Sequence, residues 1–209
     1  MGNPVLGSSA SKREPNPRGE GDHLRADLVA AASELLLTTQ SVALPSLRAV
    51  ARACSVSPAA VYLHFDSQKA LVAAVIQAQT RALRDAMSEA VEREPVERKG
   101  EAFAGAYVRW GLEHPGAYQL LFESADQLGL DHEDDDEGWD LMQDAARLLV
   151  QVEGVSEDES LVLAHRIWVG IHGIVSLRLH KPDEPWPTTL DDDVAVTLRS
   201  LLATAGKRG

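Results

Sequence analysis

The chain has 209 residues, 44% of them apolar and 25% charged, with one cysteine and a formal net charge of −12. That length supports one large domain or two small ones. The composition excludes an internal disulfide framework, no apolar run approaches the roughly 18 residues of a membrane span, and the N-terminal stretch lacks a secretory pattern, so a cytoplasmic protein is expected. The charge is uneven: residues 1–93 carry ten Lys/Arg against nine Asp/Glu, residues 94–209 ten against twenty-three. Only the front can approach a polyanion without strong repulsion.

Residues 1–22, rich in Gly, Pro and Ser with few large apolar groups, read as a disordered arm. From there the pattern is helical throughout, giving an all-α expectation. Leu24, Leu28, Ala32, Leu35 and Leu36 repeat at helical spacing over about 23–38. Ser46 caps a short second helix, "LRAVARA". Ser57, followed by Pro58, opens a third. Ser67 opens a long fourth over about 68–93, ended near Pro95. Further helices are expected over about 97–113, 115–124, 138–153, 157–180 and 191–205, with an acidic loop at "HEDDDEG" and a capping box at Ser156 and Glu159.

The second and third helices are separated by only "CSV", the spacing of a helix-turn-helix whose second helix enters a DNA major groove. Leu47, Val50, Ala51, Val61 and Phe65 would face inward. Ser57, Pro58, Ala59, Ala60, Leu63 and His64 would lie outside, with Tyr62 at the margin. An outer surface of small residues lets a helix tip press close to base edges, where free backbone N–H groups favour an anion.

"LPSLRAVARACSVSPAAVYLHFDSQKALVAAV" resembles the DNA-binding segment of TetR-type transcriptional regulators, with cap, apolar and aromatic positions in register over about 24–80. The resemblance implies that Ser57, Pro58, Ala59, Ala60 and Leu63 face bases and that Ser46, Tyr62 and His64 face phosphates. It departs at Ser55, where the family places a glycine in the turn, and at Gln68, where it places a phosphate-binding lysine. Here the lysine is Lys69, rotated by about 100°, so either Gln68 or Lys69 is left to meet the backbone.

Behind this segment, "EAFAGAYVRWGLEHPGAYQLLF" sets Phe103, Tyr107 and Trp110 on one stripe, with Tyr118 and Phe122 close by. Such a stripe serves as core or as a ligand wall. "WVGIHG", together with Tyr107 to Pro115, resembles a TetR-type subgroup with a Trp-x-x-x-His-Gly signature in the penultimate long helix. The resemblance implies an effector cavity lined by Phe103, Tyr107, Trp110, Phe122, Trp168 and His172. It also implies a homodimer seam built from the last two helices through Leu161, Val175, Leu179, Val194, Leu198 and Leu201. Gly170 and Gly173 suggest close helix contact.

His165 and His172 share a helix face at a spacing unlike the i, i+4 of metal pairs, and no third ligand, nucleophile arrangement or phosphate loop stands out. The expectation is therefore a non-enzymatic regulator without metal or cofactor. Its helix-turn-helix domain would span 23–67 and its ligand-binding and dimerisation domain 68–205, entered by a linker helix over 68–93. It would bind an inverted-repeat operator in double-stranded DNA and leave it on binding a small-molecule effector. The alternative is an all-helical ligand-binding or small enzyme domain without operator binding.

Overall fold

The computed structural model describes residues 20–37, 45–124 and 136–205. Most of the expected arm (1–19) and the start of the acidic loop (132–135) lie outside them, while residues 20–22 begin the first helix. Every regular element among the described residues is helical: α1 (Glu20–Leu37), α2 (Leu47–Ala53), α3 (Pro58–Tyr62), α4 (Gln68–Glu92), α5 (Lys99–Glu113), α6 (Pro115–Gln119), α7 (Asp136–Glu153), α8 (Glu157–His180) and α9 (Leu190–Ala205). A 3₁₀ turn over Val96–Arg98 leads into α5, and α6 continues as a wider π-helical turn over Leu120–Ser124.

The elements start where short polar side chains can take up orphan N–H groups. Ser46, Ser57 and Ser67 accept from the backbone N–H three residues on, at 3.2, 3.2 and 3.1 Å. At α8 the expected capping box is looser: Ser156 Oγ donates to Glu159 Oε2 at 3.2 Å instead of capping a backbone N–H.

Two apolar cores form. The first gathers Leu28, Ala32 and Leu36 of α1, Leu47, Val50 and Ala51 of α2, Val61 of α3, Phe65 just beyond it, and Leu71, Val72 and Val75 from the start of α4. The second gathers Leu83 and Met87 from the far half of α4 with buried faces of α5 to α9. One helix of 25 residues thus serves both cores. Leu120, at the start of the π-helical turn, is 0% exposed and belongs to the first core although its neighbours belong to the second. Beside it, a Cβ on Gly116 would lie 2.7 Å from the Leu37 carbonyl oxygen, so only glycine lets α6 press on the end of α1.

α8 is the one described helix long and apolar enough to cross a membrane; here it packs against α5, α7 and α9. Gly170 fulfils the close-contact expectation, since a Cβ there would meet Thr197 of α9 at 2.6 Å. Gly173 does not, with nothing within 4 Å.

Between α2 and α3, Ser55 adopts φ +56°, the left-handed conformation that glycine takes without cost. Ser55→Gly is expected to raise stability by up to about 1 kcal/mol, read as a small upward shift in the urea midpoint at unchanged slope. A lowered midpoint would show that the serine makes a compensating contact.

Candidate functional site

Two sites emerge, one on the surface of the first core and one inside the second. On the surface, α3 is rooted by Val61 (0% exposed), with Phe65 just beyond it (2%). This leaves Ser57, Pro58 and Ala59 exposed at its tip, Tyr62 and Leu63 exposed beyond, and Ala60 and His64 half-buried. Leu63 is 85% exposed, an unusual position for a leucine with no partner in its own chain.

The tip offers fewer N–H groups than expected. Pro58 has none, and the Ala60 N–H is taken by Ser57 through both Oγ and the backbone oxygen. With these two donors gone, shape more than a helix dipole governs what this short helix can fit. Ser46 is exposed with its hydroxyl capping α2. Gln68 turns inward: its Nε2 donates to the Pro45 carbonyl at 3.1 Å and ties the start of α4 to the start of α2. That contact uses one of its two amide protons, and Lys69 is exposed beside it. Cys54 donates to the Asp27 carbonyl at 3.5 Å, and burial pushes its thiol above the usual range, the state of an unreactive thiol.

Inside the second core, α4, α5, the π-helical turn, α7 and α8 diverge around a cavity of about 500 Å³, within the range of small-molecule sites. Of the expected ligand-wall residues, Phe103, Tyr107, Phe122, Trp168 and His172 line it. Trp110 does not. It lies about one turn past Tyr107, beyond the cavity's end, and stacks on His114 with ring centroids 5.0 Å apart. The wall from α4 was missed: Ile76, Thr80, Leu83 and Met87 recur at i, i+4, i+7 and i+11, a stripe visible in the sequence but read there only as linker. Arg84 holds the roof, reaching Asp144 (2.6 Å) and Asp140 (3.4 Å) of α7.

One end of the cavity is a polar cluster in an aromatic box. Trp168 Nε1 donates to the Tyr107 hydroxyl at 3.2 Å. The Tyr107 and Tyr118 hydroxyls meet His172 Nδ1 at 3.0 and 2.8 Å, and Tyr118 also reaches the His172 carbonyl at 3.2 Å. Phe122 stands over Tyr107, Tyr118, Trp168 and His172, with ring centroids 5.1–6.2 Å apart. Burial raises both phenols well above their usual range, keeping them neutral donors. Burial lowers the pKa of His172, partly opposed by Glu123.

The stability consequence has a definite sign. Above about pH 6.5 both folded and unfolded chains hold His172 neutral. As the pH falls below that value the unfolded chain takes up the proton first, so stability falls with pH until the folded histidine also protonates. The melting temperature is expected to drop between pH 7.5 and 5.5, and to drop less in His172→Gln. Equal slopes for the two proteins would count against this assignment.

Val175, Val194 and Leu198, expected in the dimer seam, are 0–3% exposed inside the protomer's own core, and Leu161, Leu179 and Leu201 are half-buried against it. The regular apolar stripe of α8 faces inward. The outward face carries Val162, Arg166, Val169, Gly173 and Leu177, with Val196 on α9. Among the described residues no three His, Cys, Asp or Glu side chains converge on a point that could hold a metal.

A helix-turn-helix unit joined through a shared helix to a cavity between helices defines a class, the DNA-binding regulators with a sensor domain. Residues 28–75 match the family described as bacterial regulatory proteins, tetR family, and residues 101–203 match the tetracyclin repressor-like C-terminal domain. The chain belongs to the TetR family of DNA-binding transcriptional regulators. No curated protein matches it significantly. A structure of a protein of unknown function from Rhodococcus sp. RHA1 is 25% identical, covers 88% of this chain and 96% of its own, and superposes with a TM-score of 0.74. A TetR family transcription regulator from Marinobacter aquaeolei VT8 is 16% identical (90% and 97% covered, TM-score 0.63). A transcriptional regulator from Rhodococcus sp. Rha1 is 17% identical (87% and 97%, TM-score 0.64). The last two show the shared fold.

Proposed function

We propose that this regulator is a homodimeric repressor, without enzymatic activity, that leaves an inverted-repeat operator when a small molecule occupies the cavity of about 500 Å³. The cavity carries this reading: it is walled by α4, whose other end carries the first core on which α3 sits. A molecule that fits one arrangement of α4 better than another shifts the population of DNA-competent dimers, and DNA shifts ligand affinity in return. The DNA face is Ser57, Pro58, Ala59 and Leu63 toward bases, with Ser46, Tyr62, His64 and Lys69 toward phosphates. The domains divide near residue 67, with α4 as the linker.

The test is binding to DNA from the region upstream of its own gene, measured at two salt concentrations. Salt-sensitive, sequence-preferring binding supports the reading. Its absence overturns it in favour of a sensor-like domain without an operator.

For the dimer, Val162, Val169, Gly173 and Leu177 fall within about 80° of one another around α8 and present an apolar strip with a small residue at its centre. Val169→Asp is expected to convert a dimer to a monomer in sedimentation velocity, with helicity retained because the side chain is 67% exposed in the protomer. A dimer that survives this substitution places the seam elsewhere.

A further inference from the structure

We propose that the cavity takes a neutral, largely apolar molecule bearing a carbonyl-type oxygen, which accepts a hydrogen bond from His172 Nε2–H. The proposal rests on the reading of the cavity as the effector site and names the chemistry that site selects.

The hydrogen-bond directions at the closed end carry it. An indole N–H can only donate, so Trp168 gives its proton to the Tyr107 oxygen. In the proposed arrangement the Tyr107 hydroxyl gives its own proton to His172 Nδ1 at 3.0 Å. The Tyr118 proton goes to the same nitrogen at 2.8 Å or to the His172 carbonyl at 3.2 Å. With Nδ1 as the acceptor of the ring, the neutral imidazole carries its proton on Nε2. Nε2 has no protein partner among the described residues, and the ring lines the cavity. An N–H donor on a ring that lines a largely apolar chamber calls for an acceptor. An ammonium ion would set donor against donor there.

Charge sharpens the class. The charged side chains that line the cavity among the described residues are Glu123 and Glu153, with no Lys or Arg. Glu123, half-buried and 3.8 Å from His180, raises rather than relieves the negative field near His172. An anion would enter without a counter-charge, whereas a ketone, ester or amide oxygen accepts the same bond at no such cost. Phe103, Phe122, Trp168, Leu83 and Met87 supply an apolar wall that suits a hydrocarbon body, with Gln77, Thr80 and His165 as further polar lining.

The test uses four probes of one size: 2-acetylnaphthalene, 2-ethylnaphthalene, 2-naphthoate and 2-naphthylmethylammonium, titrated calorimetrically into the full chain. The ketone is expected to bind about tenfold more tightly than the hydrocarbon, and more tightly than either ion. His172→Phe is expected to level ketone and hydrocarbon while retaining hydrocarbon binding. Nitrogen-15 spectroscopy of the native protein at pH 7.5 is expected to show His172 as the Nε2–H tautomer, a readout that does not depend on the variant folding. A hydrocarbon or ion that binds as well as the ketone, binding by none of the four, or an Nδ1–H tautomer overturns the assignment. Operator binding, measured alongside, separates the two readings. A protein that holds its operator but shows no ketone preference overturns this assignment alone. One that prefers the ketone but never binds DNA overturns the repressor reading and leaves the ligand chemistry standing.

Discussion

Ala59→Glu is expected to abolish operator binding, with a loss of about 100-fold or more, while leaving the fold intact. Ala59 is exposed at the second position of α3, directly after Pro58. A carboxylate there would meet base edges and phosphates without a cation to pair it, and an unpaired charge in a closed interface costs several kcal/mol. The same carboxylate sits in the first turn of a helix, where a negative charge is mildly stabilising. The variant should therefore melt no lower than the native protein, so lost binding could not be ascribed to unfolding. Tyr62→Ala supplies the contrast. If its exposed ring meets the DNA backbone as proposed, its loss should weaken operator and unrelated DNA alike. Operator affinity within a few-fold of native for Ala59→Glu would show that α3 does not enter the groove.

The surface site was legible in the sequence because its determinants are local. Serines 46, 57 and 67 cap the elements that follow them, and Val61 and Phe65, four residues apart, fix which side of α3 turns inward. The left-handed Ser55 stands where the resemblance places a glycine, the residue that takes this conformation without cost. The interior site was legible only in part. Phe103, Tyr107, Phe122, Trp168 and His172 do line one cavity, but where a cavity ends depends on how helices diverge, and that excluded Trp110. The α8 stripe expected at the dimer seam raises a related point. An apolar stripe at helical spacing announces burial, not which body buries it, and Val175 is buried by α8's own protomer. Gly170 and Gly173 look alike in sequence, yet only the first has a neighbour within the chain, Thr197.

Leu120→Ala is expected to weaken the DNA-binding half of the protein from a position in the sensor half. Leu120 begins the π-helical turn whose next residues, Leu121, Phe122 and Glu123, line the cavity, yet its own side chain is fully buried in the core of α1 to α4. Truncating it removes a buried leucine and leaves a void, at a cost of about 2–5 kcal/mol, or about 2–4 °C of melting temperature per kcal/mol in a chain of this size. The location of the loss matters more than its size. Hydrogen exchange should accelerate in α1, α2 and α3 and stay close to native in α8 and α9, since the void opens in the first core only. Operator affinity should fall as well, because one of the contacts between the first core and the cavity wall is gone. Gly116, pressed on the Leu37 carbonyl, stays in place and keeps α6 docked, so the substitution tests the leucine and not the whole segment. Two discrete positions of this turn, one with and one without a ligand against Phe122, would give the cavity a second physical route to the DNA face besides α4. Exchange that accelerates in α8 and α9 while α1 to α3 remain protected would sink that route and leave α4 as the carrier.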